Sequence, residues 1–241
     1  MLSRVKRAVG VIGRRHLGPV AARILIGDMS YAAAGEDRLV LGWLQTCYGF
    51  NDASRIRYCD IGANHPQTLS NTYLLYQRGA RGLLIEPDPE LCAPLRQKRP
   101  RDTVLNVGVA FDARRSAKLK RFSSPVFNTF NESHADLVVN SSKNWQPNQL
   151  QRVVDEIEVP LVPANDVLAA HLPDGFDFLS IDAEGVDFEI LRSIDLRRFR
   201  PAIICIEEST PKHQHDEYLG EAGYDFVART PDNLIYRRIT A

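Results

Sequence analysis

The chain has 241 residues, of which 30 are Lys or Arg and 30 are Asp or Glu, so its formal charge is zero with all six histidines neutral. That balance argues against a general nucleic-acid binder, which carries a basic excess. With 44% apolar and 25% charged residues, the composition excludes global disorder and a fibre, and the length suits one α/β domain with a sizeable core.

Residues 1–27 carry Arg4, Lys6, Arg7, Arg14, Arg15 and Arg23 and no acid, with Leu2, Val5, Val9, Ile12, Leu17, Val20, Ile24 and Leu25 at near-helical intervals. The pattern predicts a basic amphipathic helical segment over 1–29, either packed on the domain or in peripheral contact with an anionic membrane. Charges interrupt every apolar run, which argues against a signal peptide. No run reaches the ~18–20 apolar residues of a spanning helix. The expected location is the cytoplasm or the inner face of the membrane. Cys47, Cys59, Cys92 and Cys205 form no C-x-x-C pair and read as buried thiols of a reducing compartment.

Past residue 55, short β-branched runs alternate with helical patterns, the signature of βαβ units and a mainly parallel sheet. Strands are expected at Ile56–Asp60, Gly82–Glu86, Thr103–Val107, Phe176–Asp182 and Ala202–Glu207, and helices at Ser70–Gly79, Pro89–Lys98, Gly185–Ile194 and Lys212–Ala222. Thr230-Pro231-Asp232 between Tyr224–Arg229 and Asn233–Arg238 predicts a closing hairpin and one antiparallel edge. Residues 111–163 break the repeat. Rich in amides and hydroxyls, they read as an insertion acting as a substrate-facing lid, because long loops in compact domains are more often functional than idle.

Ligands of open α/β sheets bind at the carboxyl ends of the strands. The first such end, Asp60-Ile61-Gly62-Ala63-Asn64, offers an acid to a ligand ammonium and a glycine for close backbone approach. It lacks the G-x-G-x-x-G fingerprint of dinucleotide sites. The second ends in Glu86-Pro87-Asp88-Pro89, where Glu86 suits a ribose diol and Asp88 caps a helix opened by Pro89. Together they describe an adenosine site without a pyrophosphate cradle. Asp182 and Glu184 after the fourth strand and Glu207 after the fifth converge on one mouth. There they can bind a hard divalent cation such as Mg, or one can serve as a general base. His65, His134, His213 and His215 are the other titratable candidates.

These residues resemble the FkbM-type methyltransferases, a family of S-adenosylmethionine-dependent Rossmann-like enzymes. The likeness covers about residues 30–238. It is carried by Ser30-Tyr31 with Gly35-Glu36-Asp37, Asp60–Asn64, Ser70–Tyr73, Ile85–Pro89, Asn128-Thr129-Phe130 and Ser180–Gly185. The resemblance implies a methyltransferase domain over 30–241 and O-methylation of a sugar, glycan or polyketide-type hydroxyl. By it, Asp60, Gly62 and Asn64 surround the methionine part of S-adenosylmethionine. Glu86 takes the ribose, Pro87 and Val109 the adenine, and Asp182 lies at the reacting centre. In the insertion, Asn128 and Thr129 are expected to hydrogen-bond the acceptor and Phe130 to pack on it, with His134 beside them. The competing readings are a nicotinamide-dependent sugar-modifying enzyme and a non-catalytic membrane- or glycan-binding module. Outside residues 1–27 the chain holds 24 basic and 30 acidic residues, so its charge divides into a basic segment and an acidic domain.

Overall fold

The computed structural model describes residues 30–142 and 150–239; the basic segment 1–29 lies outside them. A seven-stranded sheet forms the centre, in the order β3-β2-β1-β7-β8-β10-β9. Its strands are β1 (Arg57–Ile61), β2 (Arg81–Ile85), β3 (Thr103–Leu105), β7 (Phe178–Ile181), β8 (Ile203–Glu207), β9 (Tyr224–Arg229) and β10 (Asn233–Arg238). β1 pairs in parallel with both β2 and β7. The chain runs outward from β1 to β3 and then returns to start the other half at β7, so the switch point lies between β1 and β7.

Alternate residues of these strands point to opposite faces. Cys59, Ile61, Leu83, Ile85, Leu179 and Ile181 join one apolar core, while Tyr58, Leu84, Phe178, Ile203 and Cys205 join the other. Burial on both faces is why the strands read as nearly continuous apolar runs. The second core is covered by α1 (Glu36–Tyr48), α2 (Tyr73–Gln77) and α3 (Pro89–Lys98).

The closing hairpin forms as the turn residues predict, with a difference of placement. β10 is antiparallel to β8, and β9 pairs only with β10, so the antiparallel strand lies one position in from the edge. The third strand stops at Leu105 rather than Val107, because the chain leaves the main sheet there. It enters a second sheet of order β4-β6-β5, made by β4 (Gly108–Ala110), β5 (Ser116–Phe122) and β6 (Val153–Pro163). Gly108 permits the crossing, since a Cβ there would stand 2.6 Å from Leu161 and 3.0 Å from Phe130. Residues 111–163 therefore contain an antiparallel β5–β6 ladder that carries α4 (Glu132–Ser142) between its strands. Behind β6, α5 (Ala164–His171) leads into β7, and α6 (Asp187–Ser193), α7 (Leu196–Phe199) and α8 (Lys212–Glu221) complete the helices. Cys59, Cys92 and Cys205 are buried, whereas Cys47, at the end of α1, is exposed, which corrects the expectation for that thiol.

Candidate active site

A cavity of about 400 Å³ opens at the carboxyl ends of β1, β2, β7 and β8. Gly62 shapes its floor. With φ +84° and a hypothetical Cβ only 1.7 Å from the Asp182 carbonyl oxygen, no side chain fits there, and the loop after β1 presses against the end of β7. The Gly62 and Ala63 amides both donate to the Ile85 carbonyl, which ties the same loop to β2.

Asp60 and Glu86 both line this cavity. The buried Asp60 carboxylate accepts the Thr72 hydroxyl at 2.6 Å. Burial pushes its pKa up, opposed by the Arg99 guanidinium and by hydrogen bonds from Thr72 and Ser180. Glu86 accepts the Asn64 amide on one oxygen and the Asp88 amide on the other, each at 2.8 Å. Burial raises its carboxyl to about 7 despite those two donors. A carboxylate oxygen has more than one acceptor site, so both oxygens remain able to take hydroxyl donors. Ile85, Pro87, Val107, Val109 and Phe111 line the adjoining wall, an apolar surface suited to a flat ring.

The three acids expected to share a mouth do so: single oxygens of Asp182, Glu184 and Glu207 lie within 4.8 Å of one another. Desolvation and repulsion by neighbouring acids, Asp187 among them, push all three carboxyls above their ordinary range, Glu207 to about 11. Glu207 Oε2 is buried without a hydrogen-bond partner. Asp187, which the sequence reading missed, holds the loop that carries the cluster. Its carboxylate accepts the Ala183 amide at 2.6 Å and the Gly185 amide at 3.0 Å. The available signal was an acid two residues past a glycine at a helix start, where free amides attract carboxylates.

Thr129 departs from the expectation placed on the insertion residues. Asn128 accepts the Phe122 amide and donates to Asp88 Oδ2, while the buried Thr129 hydroxyl donates to the Glu184 carbonyl and accepts the Asn131 amide. Thr129 is committed inside the protein and fastens the insertion to the loop after β7, whereas Asn128 lines the cavity and retains a second amide hydrogen. Phe130 lines the cavity as well, as does His134, whose Nε2 lies 3.0 Å from Glu184 Oε2. Asn64 lines the cavity too, with its side-chain amide donating to the Pro125 carbonyl.

Glu36 is a further residue whose role the sequence reading left open. Fully buried, it accepts the Ala34 amide, the Thr230 hydroxyl and the Asn233 side-chain amide. It thereby clamps the start of α1 to the start of β10, and both Ala33 and Asn233 line the cavity.

The methyltransferase FkbM domain model matches residues 60–226, which takes in every strand end described above. The chain belongs to the FkbM methyltransferase family. This membership removes the nicotinamide-dependent reading. No curated protein matches the chain at a significant level. Among solved structures, it is similar to a putative O-methyltransferase from Klebsiella pneumoniae at 15% identity, over 99% of this chain and 97% of that one, with a TM-score of 0.46. A TehB-like SAM-dependent methyltransferase from Corynebacterium glutamicum aligns at 12% identity over 99% and 100% of the two chains, TM-score 0.41. An O-methyltransferase from Bacillus cereus, solved with SAH, aligns at 14% identity over 97% and 89%, TM-score 0.42. Likenesses this distant decide nothing about the site. The α/β class rests on the strand order itself: a mostly parallel sheet with a reversed C-terminal strand.

Proposed function

We propose that this methyltransferase uses S-adenosylmethionine to methylate a hydroxyl on a sugar, glycan or polyketide-type acceptor. The observation that carries the reading is the sharing of one cavity by Glu86, beside an apolar slot, and by the Asp182–Glu184–Glu207 cluster. The donor set fits the cofactor. When ionised, Glu86 presents acceptors only, which suits two ribose hydroxyls. Asp60 presents a buried negative charge for an ammonium, and the acid cluster suits a cationic sulfonium.

The bound cofactor supplies an electrophilic methyl group, so the protein's task is to align the acceptor oxygen and remove its proton. Asp182 stands at the switch point and is the base in this reading. In its ionised form, a carboxyl raised by burial and by neighbouring acids is a stronger proton acceptor than an ordinary aspartate. With the cofactor bound, Asp182 would take the proton of the acceptor hydroxyl as that oxygen receives the methyl group the cofactor supplies. Glu184 stands beside it, and Glu207, whose carboxyl is raised to about 11, keeps its proton at neutral pH. The same three carboxylates form a donor set for a hard divalent cation such as Mg, which would lower the hydroxyl pKa if bound.

Calorimetric titration with S-adenosylhomocysteine tests the cofactor assignment. The wild type is expected to bind, with Asp60→Ala and Glu86→Ala each reducing affinity at least about tenfold, the loss expected of a charge-assisted hydrogen bond. An absence of wild-type binding overturns the reading. Transfer of labelled methyl to a panel of sugars, glycans and macrolides, with recovery of an ether product, tests the acceptor class. We retain residues 1–27 as a proposed contact with anionic membrane. Deleting them should abolish co-sedimentation with anionic vesicles and leave cofactor binding intact. No helix among the described residues is long and apolar enough to cross a membrane.

A further inference from the structure

Arg99, the cap residue at the end of α3, is the largest fully buried side chain among the described residues. It lies behind the cavity wall, outside the set of residues that line the site. Its Nε donates to Asp102 Oδ2 at 2.7 Å, and its Nη2 donates both to the Tyr58 hydroxyl at 2.8 Å and to Thr72 Oγ1 at 2.9 Å. Thr72 in turn donates its hydroxyl to Asp60 Oδ2 at 2.6 Å. Every bond in this chain runs one way, from the guanidinium to the carboxylate that lines the cavity. We propose that Arg99 is a positioning residue: through Thr72 it anchors Asp60 as the negative charge that receives the α-ammonium of the cofactor. The proposal rests on the cofactor reading above.

The charge balance supports it. Guanidinium stays protonated in proteins, and Asp102 alone would neutralise Arg99. Asp102 is already well supplied, since it also accepts the Tyr58 hydroxyl and the Gly82 amide. A pair built only to stabilise the fold would be complete at that point. Instead, Nη2 also reaches Thr72, and Asp60 adds a second acid to the buried group, leaving it one negative charge in excess. That excess lies on the cavity side, where a cation bound by Asp60 would cancel it. The other charged groups around Asp60 are Asp102, Glu86 and Asp182, all acids, so Arg99 is the cation that offsets the burial of Asp60. A fixed carboxylate also costs less to organise when the ligand arrives, which is the advantage of preorganisation.

Two ligands separate this role from a purely structural one. S-adenosylhomocysteine carries the ammonium, while 5′-methylthioadenosine has the same adenosine without the amino-acid part. Thr72→Val cuts the relay while leaving the Arg99–Asp102 pair in place. It is expected to weaken S-adenosylhomocysteine binding by about tenfold or more, to leave 5′-methylthioadenosine affinity within about twofold, and to be rescued by Thr72→Ser, because only the hydroxyl relay has been cut. Arg99→Met combined with Asp102→Asn, which avoids leaving Asp102 ionised without its guanidinium, should show the same split. If that pair fails to fold, Thr72→Val still decides. Equal losses for both ligands, or no loss for S-adenosylhomocysteine, overturn the proposal. A wild type that binds 5′-methylthioadenosine but not S-adenosylhomocysteine removes the ammonium site itself, and one that binds neither overturns the cofactor reading and this inference with it.

Discussion

His134 Nε2 lies 3.0 Å from Glu184 Oε2, so a residue of the insertion helix touches the acid cluster at the end of β7. The contact is one of three. The Thr129 hydroxyl donates to the Glu184 carbonyl at 2.6 Å, and the Asn131 side-chain amide donates to the Gly185 carbonyl at 2.7 Å. The insertion thus holds both backbone and side chain of the loop after β7. Gly185 is the tight point, with φ +94° and a hypothetical Cβ 2.8 Å from the His134 ring. Gly185→Ala should cost about 1–2 kcal/mol from the left-handed backbone alone, with a further loss from displacing the ring. Thermal unfolding should register the lower midpoint. Methyl transfer should fall more than S-adenosylhomocysteine affinity, because Asp60 and Glu86 lie on other strands. Equal losses in both would show that the loop does not act separately from the cofactor site.

Asp187 supports the same loop from beneath. Removing its carboxylate in Asp187→Ala strands the half-buried Ala183 and Gly185 amides, at up to about 1–3 kcal/mol for each unsatisfied group. Asp187→Asn keeps one acceptor oxygen and should lose about half as much stability. In chemical denaturation the order should be wild type, then Asn, then Ala. An Ala variant as stable as the wild type would mean the loop finds other partners.

Glu207 makes stability depend on pH, with a definite sign. Burial, together with Asp187, Asp182 and Glu184, raises its carboxyl from 4.5 to about 11 in the folded protein. Between those values the native state binds a proton that the unfolded chain releases, so stability falls as pH rises across the interval. The melting midpoint of the ligand-free protein should therefore drop from pH 6 to pH 9. Glu207→Gln, which mimics the protonated form, should raise the midpoint at pH 9 and flatten the slope. If Mg binds the three acids, it should raise the wild-type midpoint at pH 9 by mass action and leave Glu207→Gln less affected. Activity that survives dialysis against EDTA unchanged would remove the metal from the mechanism.

Glu86 gives the opposite dependence for ligand binding. With its carboxyl near 7, it is largely protonated at pH 6 and has fewer acceptors for a ribose diol. S-adenosylhomocysteine affinity should weaken as pH falls from 8 to 6, by up to about tenfold per unit below the pKa. Glu86→Gln should bind weakly and with little of this pH dependence. A wild-type affinity unchanged across that range would place the ribose elsewhere.

The strand ends were legible because they combine an apolar run with a closing polar residue. Asp60, Glu86, Asp182 and Glu207 each terminate such a run, and all four line one cavity. What stayed hidden depends on contacts made across the fold. The β5–β6 ladder escaped because its cross-strand partners are charged, with Lys118 opposite Glu158, Lys120 opposite Glu156 and Arg121 opposite Asp155. Such pairs stabilise a sheet but read as a solvated loop when seen one strand at a time. Thr129 looked available for an acceptor because a polar residue in a loop shows no partner until the Glu184 carbonyl is brought beside it. Arg99 was invisible for the same reason. An arginine at a helix end is normally exposed, and its burial follows only from Asp102, Tyr58 and Thr72 converging from three other segments.

Leu69 carries the acceptor question. It adopts φ +60°, a conformation costly for a bulky side chain, and it is 50% exposed. Nothing in the core rewards that cost. Leu69 nevertheless lines the cavity together with Val126, itself 36% exposed, so two apolar side chains stand on the loops that flank the mouth. Backbone strain at a binding surface is the kind of outlier that points to function. In this reading Leu69 meets an apolar face of the acceptor, such as the C–H face of a sugar ring or part of a macrocycle. Leu69→Asn, which tolerates the left-handed conformation, should raise stability by about 1 kcal/mol while raising the acceptor KM and leaving S-adenosylhomocysteine affinity unchanged. Loss of cofactor affinity instead would assign Leu69 to the cofactor side of the cavity, and an unchanged acceptor KM would remove it from the acceptor surface.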